Sequence, residues 1–351
     1  MVTALGTAVG GSEMDRRQFL AVSGLSLTAL VHQWSTAEAE PLVRAARGSR
    51  LTNDLLDTLQ ATTDSLRTMD ASAGSGTLAD LGDAHLQFLK RLLQQATYDD
   101  ATGQRLAAIV ADTATQTGWF TFDSGEHNRT PAYLLAALRA AKASGDIRLG
   151  AGALSYIAIL GYSTGQPGDA VTAARAAREK IKGLGTPALE AMLLTRQARG
   201  HAKLGERQAA YSALGRAAEL CAQGRSERDP HWLYWINEGE IDGQAGSCYV
   251  DLGDPQRAVT SFNQARDILH PARTKGLFLS RAAAAYIEQG EVEAGCVTAH
   301  EALDLAERLQ SARLNEHIET MLNAITPVTH APYARDLLER AAAVTGARSR
   351  T

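Results

Sequence analysis

The sequence predicts an all-α protein, a right-handed superhelical solenoid built from similar helix pairs. Three observations lead to this prediction. Apolar residues make up 45% of the 351 residues but aromatic residues only 5%, and small side chains favour helices packed on helices over a sheet sandwich. Apolar residues recur with a period near 3.6 along most of the chain, which is typical of amphipathic helices. A glycine-anchored pattern also recurs every 37 to 48 residues, which indicates a stacked array.

The N-terminal segment, residues 1–50, is predicted to be partly disordered and contains an Arg-Arg-x-Phe-Leu motif at Arg16 and Arg17. An apolar run over 19–31 and an Ala-x-Ala sequence at 37–39 follow it. These features together are typical of a twin-arginine export signal. The apolar run is shorter than the roughly 20 residues that span a bilayer. Two interpretations stay open, an export signal and an internal segment of a cytoplasmic protein.

A small helical region is predicted over 51–104. Leucines recur at helical spacing over 51–69 and again over 78–93, which indicates two amphipathic helices. The sequence between them, 70–77, is rich in Gly, Ser and Ala, a composition typical of flexible linkers. The aspartates at 99–100 are helix-capping residues, so a third helix is expected to begin there.

The solenoid of about five helix pairs is predicted over 105–345. Gly253 anchors the clearest copy of its pattern, with Gly246 before it and Ala258 and Phe262 after it. The anchor glycine supplies a turn conformation that a side chain would strain, so it marks the link between the two helices of a pair. One pair cannot bury its apolar face alone, and pairs are therefore expected to stack. The anchors are Gly125, Gly165, Gly205, Gly253 and Gly290.

This pattern resembles the tetratricopeptide repeat (TPR), although its spacing is longer than that repeat. Further likeness is carried by the segments 15–20, 118–125, 137–146, 232–235 and 246–253. Through them the chain resembles the C-terminal sensor part of actinobacterial transcriptional regulators, which join a helix-turn-helix domain to a TPR array. In that family the Arg-Arg-x-Phe-Leu stretch lies inside the chain, after the DNA-binding domain.

Charge and motif content argue against several functions. The net charge is −4, whereas nucleic-acid affinity comes mainly from an excess of Lys and Arg. Only 14 residues precede Asp15, too few for a helix-turn-helix domain, so no direct nucleic-acid binding is expected. No membrane span, cofactor or metal site is expected either. Three cysteines without a CxxC motif indicate reduced thiols in helix cores.

The resemblance implies that the first helix of each pair lines a concave groove. We expect a protein or peptide partner there, with a small signalling ligand and a homodimer as further options. The aromatic clusters around Trp119 and Trp232 either fill the core or anchor a ligand. Arg199 either binds a ligand carboxylate or forms a surface salt bridge. The predicted groove residues are Trp119, Phe122, Ser155, Tyr162, Thr195, Arg199, Glu240 and Ser247.

The sequence therefore predicts a non-enzymatic, regulatory interaction or sensor protein in the cytoplasm. An exported scaffold carrying the Arg16-Arg17 signal is the alternative. A serine hydrolase is a third hypothesis, because Ser163 lies in a G-x-S-x-G motif, the nucleophile elbow of α/β-hydrolases. The preceding run, 155–160, is the single stretch that fits a strand, and a sheet protein of this length would need several.

Overall fold

A computed structural model describes residues 51–268 and 272–348. Fourteen α-helices and two short 3-10 helices form all the regular structure in these residues, and none of them belongs to a β-strand. The prediction of an all-α protein is confirmed. The N-terminal segment with Arg16 and Arg17 lies outside the described residues.

The helices follow one another through short connections. The longest described connection between α-helices, between α8 and α9, holds a 3-10 helix at His231–Leu233, and a second 3-10 helix spans Thr326–Val328. The α-helices are α1 (Asn53–Ala73), α2 (Leu78–Gln95), α3 (Asp100–Asp123), α4 (Thr130–Ser144), α5 (Ile147–Ser163), α6 (Pro167–Ile181), α7 (Pro187–Lys203), α8 (Arg207–Ala222), α9 (Glu238–Asp251), α10 (Pro255–Arg266), α11 (Ala272–Glu288), α12 (Val292–Arg308), α13 (Ala312–Ile325) and α14 (Pro332–Arg348).

The five anchor glycines lie in the turns of five helix pairs, α3–α4 to α11–α12. All five have a positive φ, which is +69° at Gly253. No atom lies within 4 Å of the position that a Cβ would take at Gly253. The glycine is therefore required for its left-handed backbone and not for space. The sequence pattern located these turns correctly, because it detects the glycines that a positive φ requires.

The pairs pack side by side in chain order. Within each pair the two helices contact each other, and the first helix also contacts the first helix of the next pair, from α3 through to α13. Small residues allow this close approach. A Cβ added at Gly246 in α9 would lie 2.8 Å from the Phe262 ring in α10. Beyond the fifth anchor glycine, α13 packs against α11 and α14 packs against α12.

The two ends of the helical array meet. Helix α1 contacts α11, and α3 contacts α13. The connection after α1 is held against the connection before α13 by two backbone hydrogen bonds. Gly76 N donates to Gln310 O, and Gln310 N donates to Ala73 O, both at 3.0 Å. A Cβ at Gly74 would approach Gln310 O to 2.6 Å, so glycine is needed for this contact.

The prediction of a flexible linker over 70–77 is wrong. Helix α1 continues through Asp70 to Ala73, and both Asp70 and Ser75 are buried. The composition of the segment indicated flexibility, but its glycines allow the chain to pack closely against Gln310.

The region 51–104 shares a hydrophobic core with the helix pairs that follow it. This core joins Leu56 of α1 and Leu86 of α2 to Leu193 of α7 and to Leu233. The boundary predicted at 104/105 falls within α3. Among the described residues, none of the helices combines the length and the apolar character needed to cross a membrane.

Candidate functional site

The first helices of the pairs surround a cavity of about 310 Å³. Each of α3, α5, α7, α9, α11 and α13 contributes side chains to its wall, and the second helices contribute none. Helix α1, the connection between α8 and α9, and His127 in the turn between α3 and α4 supply the remaining wall. The volume is at the lower end of the range of about 300–1,000 Å³ that is usual for small-molecule sites.

Six of the eight predicted groove residues line this cavity. They are Trp119, Phe122, Tyr162, Arg199, Glu240 and Ser247. Ser155 and Thr195 do not belong to the lining. Their hydroxyls donate to carbonyl oxygens of their own helices, Gly152 O and Met192 O, both at 2.7 Å. Both side chains are therefore satisfied within the helix packing.

Aromatic side chains form one part of the wall. The Trp119 ring lies 5.7 Å from Phe122 and 5.2 Å from Tyr156, measured between ring centroids. Trp232 and Trp235 reach the cavity from the connection between α8 and α9. Phe120, by contrast, is fully buried in the core. Phe120 thus fills the core, whereas the other rings named here line the cavity.

Asp70 and Arg273 form a buried ion pair at the end of the cavity near α1. The two oxygens of Asp70 accept hydrogen bonds from both terminal nitrogens of Arg273, from Ser75 Oγ and from Trp119 Nε1. Asp123 lies 3.5 Å from Arg273 Nη1. Burial disfavours the charge, but the two carboxylates raise the pKa of Arg273 overall. The polar groups of this cluster are thus hydrogen-bonded to one another, and the bond from Nε1 to Asp70 positions the Trp119 ring.

A second cluster of ion pairs surrounds Arg67. Its terminal nitrogens bond to Asp64 and to Asp112, the latter at 2.6 Å, whereas its Nε has no partner among the described residues. His231 Nε2 lies 3.2 Å from Asp64 Oδ1, and the ligand atoms of Asp64, Asp112 and His231 come within 4.8 Å of one another. Such a triad could hold a metal by distance alone. Arg67 already forms ion pairs with both carboxylates, so a metal ion would have to compete with its guanidinium for the same oxygens.

The opposite end of the cavity contains three cations around one carboxylate. Asp251 at the end of α9 lies 3.0 Å from Arg199 Nη2, 2.9 Å from Arg281 Nη2 and 3.2 Å from Lys203 Nζ. Burial opposes the charge on Asp251, but these cations lower its pKa to about 2. Arg199 therefore pairs with a buried carboxylate of the chain and not with a surface residue. One negative charge faces three positive charges here.

Two residues of α13 add to this positive end. The Arg313 guanidinium stacks over Trp119 and Phe122, at 5.5 and 5.7 Å from the ring centroids. Within the described residues it forms no hydrogen bond or ion pair, and the charged groups that act on it are Asp123, Arg273 and Arg196. Burial and nearby cations lower the pKa of His317 to about 2, so the imidazole is neutral. These cations are Arg281, Arg313, Arg199 and Lys203.

Several buried polar atoms at this end have no hydrogen-bond partner within the described part of the chain. They are Nε of Arg196, Arg199 and Arg281, Oγ of Ser247 and Oδ2 of Asp251. Unsatisfied buried donors cost about 1–3 kcal/mol each. Burial, followed by the charge of Arg199, also lowers the pKa of Arg281 to about 10. Most of the unpartnered buried atoms therefore lie at the positive end, and one, Arg67 Nε, lies at the other end of the cavity.

Sequence reasoning missed most of the basic residues. A signal was present in α7, where Arg196, Arg199 and Lys203 follow helical spacing on one face. Arg313 and His317 have the same spacing in α13. Arg67 and Arg273 carried no repeat-based signal, because they lie on helices that the pattern does not bring together.

The hydrolase hypothesis placed Ser163 on a strand-to-helix turn. In the structure Ser163 is the last residue of α5, and the run 155–160 belongs to the same helix. The elbow geometry that would expose a strained serine is not formed at this position.

The three cysteines are free; Cys248 and Cys296 are buried in helices, and Cys221 is half-buried.

No protein-family model and no curated protein matches this chain in sequence.

Proposed function

We propose that this chain is a non-enzymatic sensor that binds a small ligand, or the end of a short peptide, in the cavity. The observation that carries the proposal is the convergence of six first helices on one cavity of about 310 Å³ lined by aromatic and basic side chains. Pockets with an apolar wall and a few convergent polar groups are the usual form of ligand sites. The volume suits a small molecule or a few side chains better than a folded partner.

The helix pairs are proposed to be TPR-like repeats that stack as a right-handed superhelix. Three features support this: the left-handed glycine in each of five turns, the contacts between successive first helices, and the sequence pattern shared with tetratricopeptide repeats. A regulatory role follows from the likeness to sensor parts of transcriptional regulators. Ligand binding to such an array would bias its shape, and a partner protein would detect that change.

The cavity can be filled to test ligand binding. Thr274 is half-buried in the wall, and Thr274→Trp would place an indole ring in the cavity. The exposed Thr260 of α10 lies outside it, so Thr260→Trp is the matched control. Each variant and the wild type would be purified from the native host, and bound compounds identified by native and denaturing mass spectrometry.

We expect one compound to accompany the wild type and the Thr260→Trp variant and to be absent from the folded Thr274→Trp variant. The compound should be released chemically unchanged after incubation, because the proposal assigns no reaction to the chain. Equal retention by both variants, or conversion of the compound, would contradict the proposal.

The location of the protein is proposed to be cytoplasmic, by analogy with the regulators that the sequence resembles. Intact-mass measurement on cytosolic and extracellular fractions tests this. A cytosolic form that retains the Arg16-Arg17 segment is expected. A form beginning at Glu40 outside the cell would instead favour the exported scaffold.

A further inference from the structure

The positive end of the cavity has more charge than its own carboxylates balance. Five cations line it, and three carboxylates accompany them, Asp251, Glu240 and the exposed Glu316. Burial raises the pKa of Glu240, which further weakens its role as a counterion. A surplus of two positive charges remains. The cations are Arg196, Arg199, Lys203, Arg281 and Arg313.

The donors of these cations are also incompletely used. Arg199 has a side chain only 7% exposed, and its single polar contact with the described residues is the ion pair with Asp251. Arg196 lies 3.8 Å from Glu240, beyond hydrogen-bond distance. Arg313 has no polar partner in the described ranges. A buried guanidinium offers five N–H donors, so the site has donors available for an added acceptor.

Aromatic rings hold the guanidiniums in place. Arg199 lies over Tyr162 at 5.1 Å, and Arg196 lies over Trp235 at 5.7 Å. Arg313 is stacked in the same way over Trp119. Cation–π stacking uses the face of the guanidinium and leaves its N–H edge free for hydrogen bonds. These three cations are therefore fixed before any ligand binds, and Arg281 is held by its bonds to Ser247 O and Asp251 Oδ1, which lowers the entropic cost of binding.

The other end of the cavity does not share this property. Asp70 accepts bonds from Arg273, Ser75 and Trp119, and Asp112 accepts bonds from Arg67 and Gln60. Two arginines there, Arg67 and Arg273, face four carboxylates, those of Asp64, Asp70, Asp112 and Asp123. The surplus of positive charge is therefore confined to the end formed by α7, α11 and α13, where most of the unpartnered buried donors also lie.

We propose that this end of the cavity binds the phosphate group of a small phosphate monoester, through Arg199, Arg281 and Arg313 with Lys203 at the rim. This inference rests on the proposed ligand-binding function and names the ligand class. A phosphate monoester carries a charge of about −1.5 to −2 at pH 7 and three acceptor oxygens, which match the surplus charge and the number of available guanidiniums. The remainder of the ligand would lie against the aromatic wall formed by Trp119, Tyr156 and Trp235.

Phenyl phosphate is the probe that tests this assignment, with phenol as its uncharged counterpart and succinate as a dicarboxylate of similar charge. Binding would be measured by calorimetry and by tryptophan fluorescence, since three of the four tryptophans line the cavity. We expect one phenyl phosphate per chain, bound at least tenfold more tightly than phenol or succinate. Equal affinity for phenol would overturn the proposal, and tighter binding of succinate would assign the site to dicarboxylates instead.

The variants Arg281→Met and Arg313→Gln test the named residues. Arg281→Met leaves Asp251 paired with Arg199 and Lys203, and Arg313→Gln removes no ion pair, so both variants should fold. Each is expected to weaken phenyl phosphate binding by tenfold or more. Arg216→Met is the matched control, because Arg216 is 50% exposed and pairs with Glu219 on α8. Unchanged affinity in both cavity variants would overturn the assignment.

The two proposals can fail separately. A cavity-dependent compound that lacks phosphate, together with no binding of phenyl phosphate, would leave the sensor proposal in place and overturn this inference. Phenyl phosphate binding that depends on Arg281, without any compound lost from the Thr274→Trp variant, would support the phosphate site and contradict the sensor proposal.

Discussion

Arg273 donates hydrogen bonds to both carboxylate oxygens of Asp70, which lies 203 residues earlier in the chain. The Nη2–Oδ2 distance is 2.8 Å, and the side chains are 10% and 6% exposed. This pair joins α1 to α11 and lies in the wall of the cavity. It therefore connects the closure of the helical array with the shape of the candidate site.

Asp70→Asn should strongly destabilise the protein. The substitution leaves Arg273 buried with Asp123 alone, and breaking a buried ion pair by removing one partner typically costs about 3–5 kcal/mol. Urea denaturation would measure the change in the free energy of unfolding. Asp57→Asn is the control, because Asp57 is 66% exposed and pairs with the exposed Arg105; its effect should be below about 1 kcal/mol. Similar losses for the two variants would contradict a structural role for the closure.

Gly253→Ala should destabilise through backbone strain alone. The φ of +69° costs a residue with a Cβ roughly 1–2 kcal/mol, and no atom obstructs the Cβ. Gly253→Asn should cost less, since Asn visits this conformation more readily. Gly168 in α6 also has open space but no positive φ, so Gly168→Ala should be neutral or stabilising. Thermal denaturation of the three variants checks these signs, and a neutral Gly253→Ala would refute the strain argument.

Lower pH should destabilise the protein through His317. Its pKa is about 2 in the folded state and about 6.5 in the unfolded chain. Below pH 6.5 the unfolded state therefore binds a proton that the folded state does not, and stability falls as pH falls. At pH 5.5 the loss should reach about 1 kcal/mol relative to pH 7.5.

The control for this prediction is His317→Gln, which should lack that component of the pH dependence, whereas the exposed His330→Gln should retain it. The charges that act on His317 are those of Arg281, Arg313, Arg199 and Lys203. Glu316 lines the same cavity, and Asp251 pairs with three of these cations. The pKa of Asp251, at about 2, puts its own titration below this range. Identical urea midpoints across pH for wild type and His317→Gln would show that the imidazole is not in this positive field.

Asp251→Asn should have opposite effects on stability and on anion binding. The variant leaves Arg199, Arg281 and the exposed Lys203 without their shared counterion, so the free energy of unfolding should fall by about 3–5 kcal/mol in phosphate-free buffer. Phenyl phosphate no longer competes with a carboxylate, and its affinity should rise by about tenfold or more, equivalent to about 1.4 kcal/mol. Calorimetry would measure this, with Glu219→Gln as the surface control. Weaker binding would contradict the phosphate site.

The sequence was informative about the inner face of each first helix. The resemblance to tetratricopeptide repeats implied that the first helices face the groove, and the register of the pattern then selected residues of which Trp119, Tyr162 and Arg199 lie in the cavity wall. Successive side chains of an α-helix point about 100° apart, so an error of one position in the register moves a residue off the predicted face. On α5 the lining follows Tyr156 and Ile159, so Ser155 was assigned one position away from the cavity.

The closure of the array could not be predicted in the same way. The contact between Asp70 and Arg273 depends on the accumulated curvature of all the intervening pairs, and no local pattern encodes that sum. The surplus charge was missed for the same reason, because Arg199, Arg281 and Arg313 come from three separate pairs. Composition also misled at 70–77, where small residues indicated flexibility but serve close packing.

The meeting of the array's ends has a consequence for folding. An open repeat array behaves as a one-dimensional chain in which terminal repeats can unfold independently. Here the hydrogen bond between Gly76 and Gln310, and the pair formed by Asp70 and Arg273, join α1 to α11 and to the connection before α13. These contacts have a high contact order, so their loop-closure entropy should slow folding. In return, α1 and the later helices that it contacts should unfold together, more cooperatively than the separated repeats of an open array.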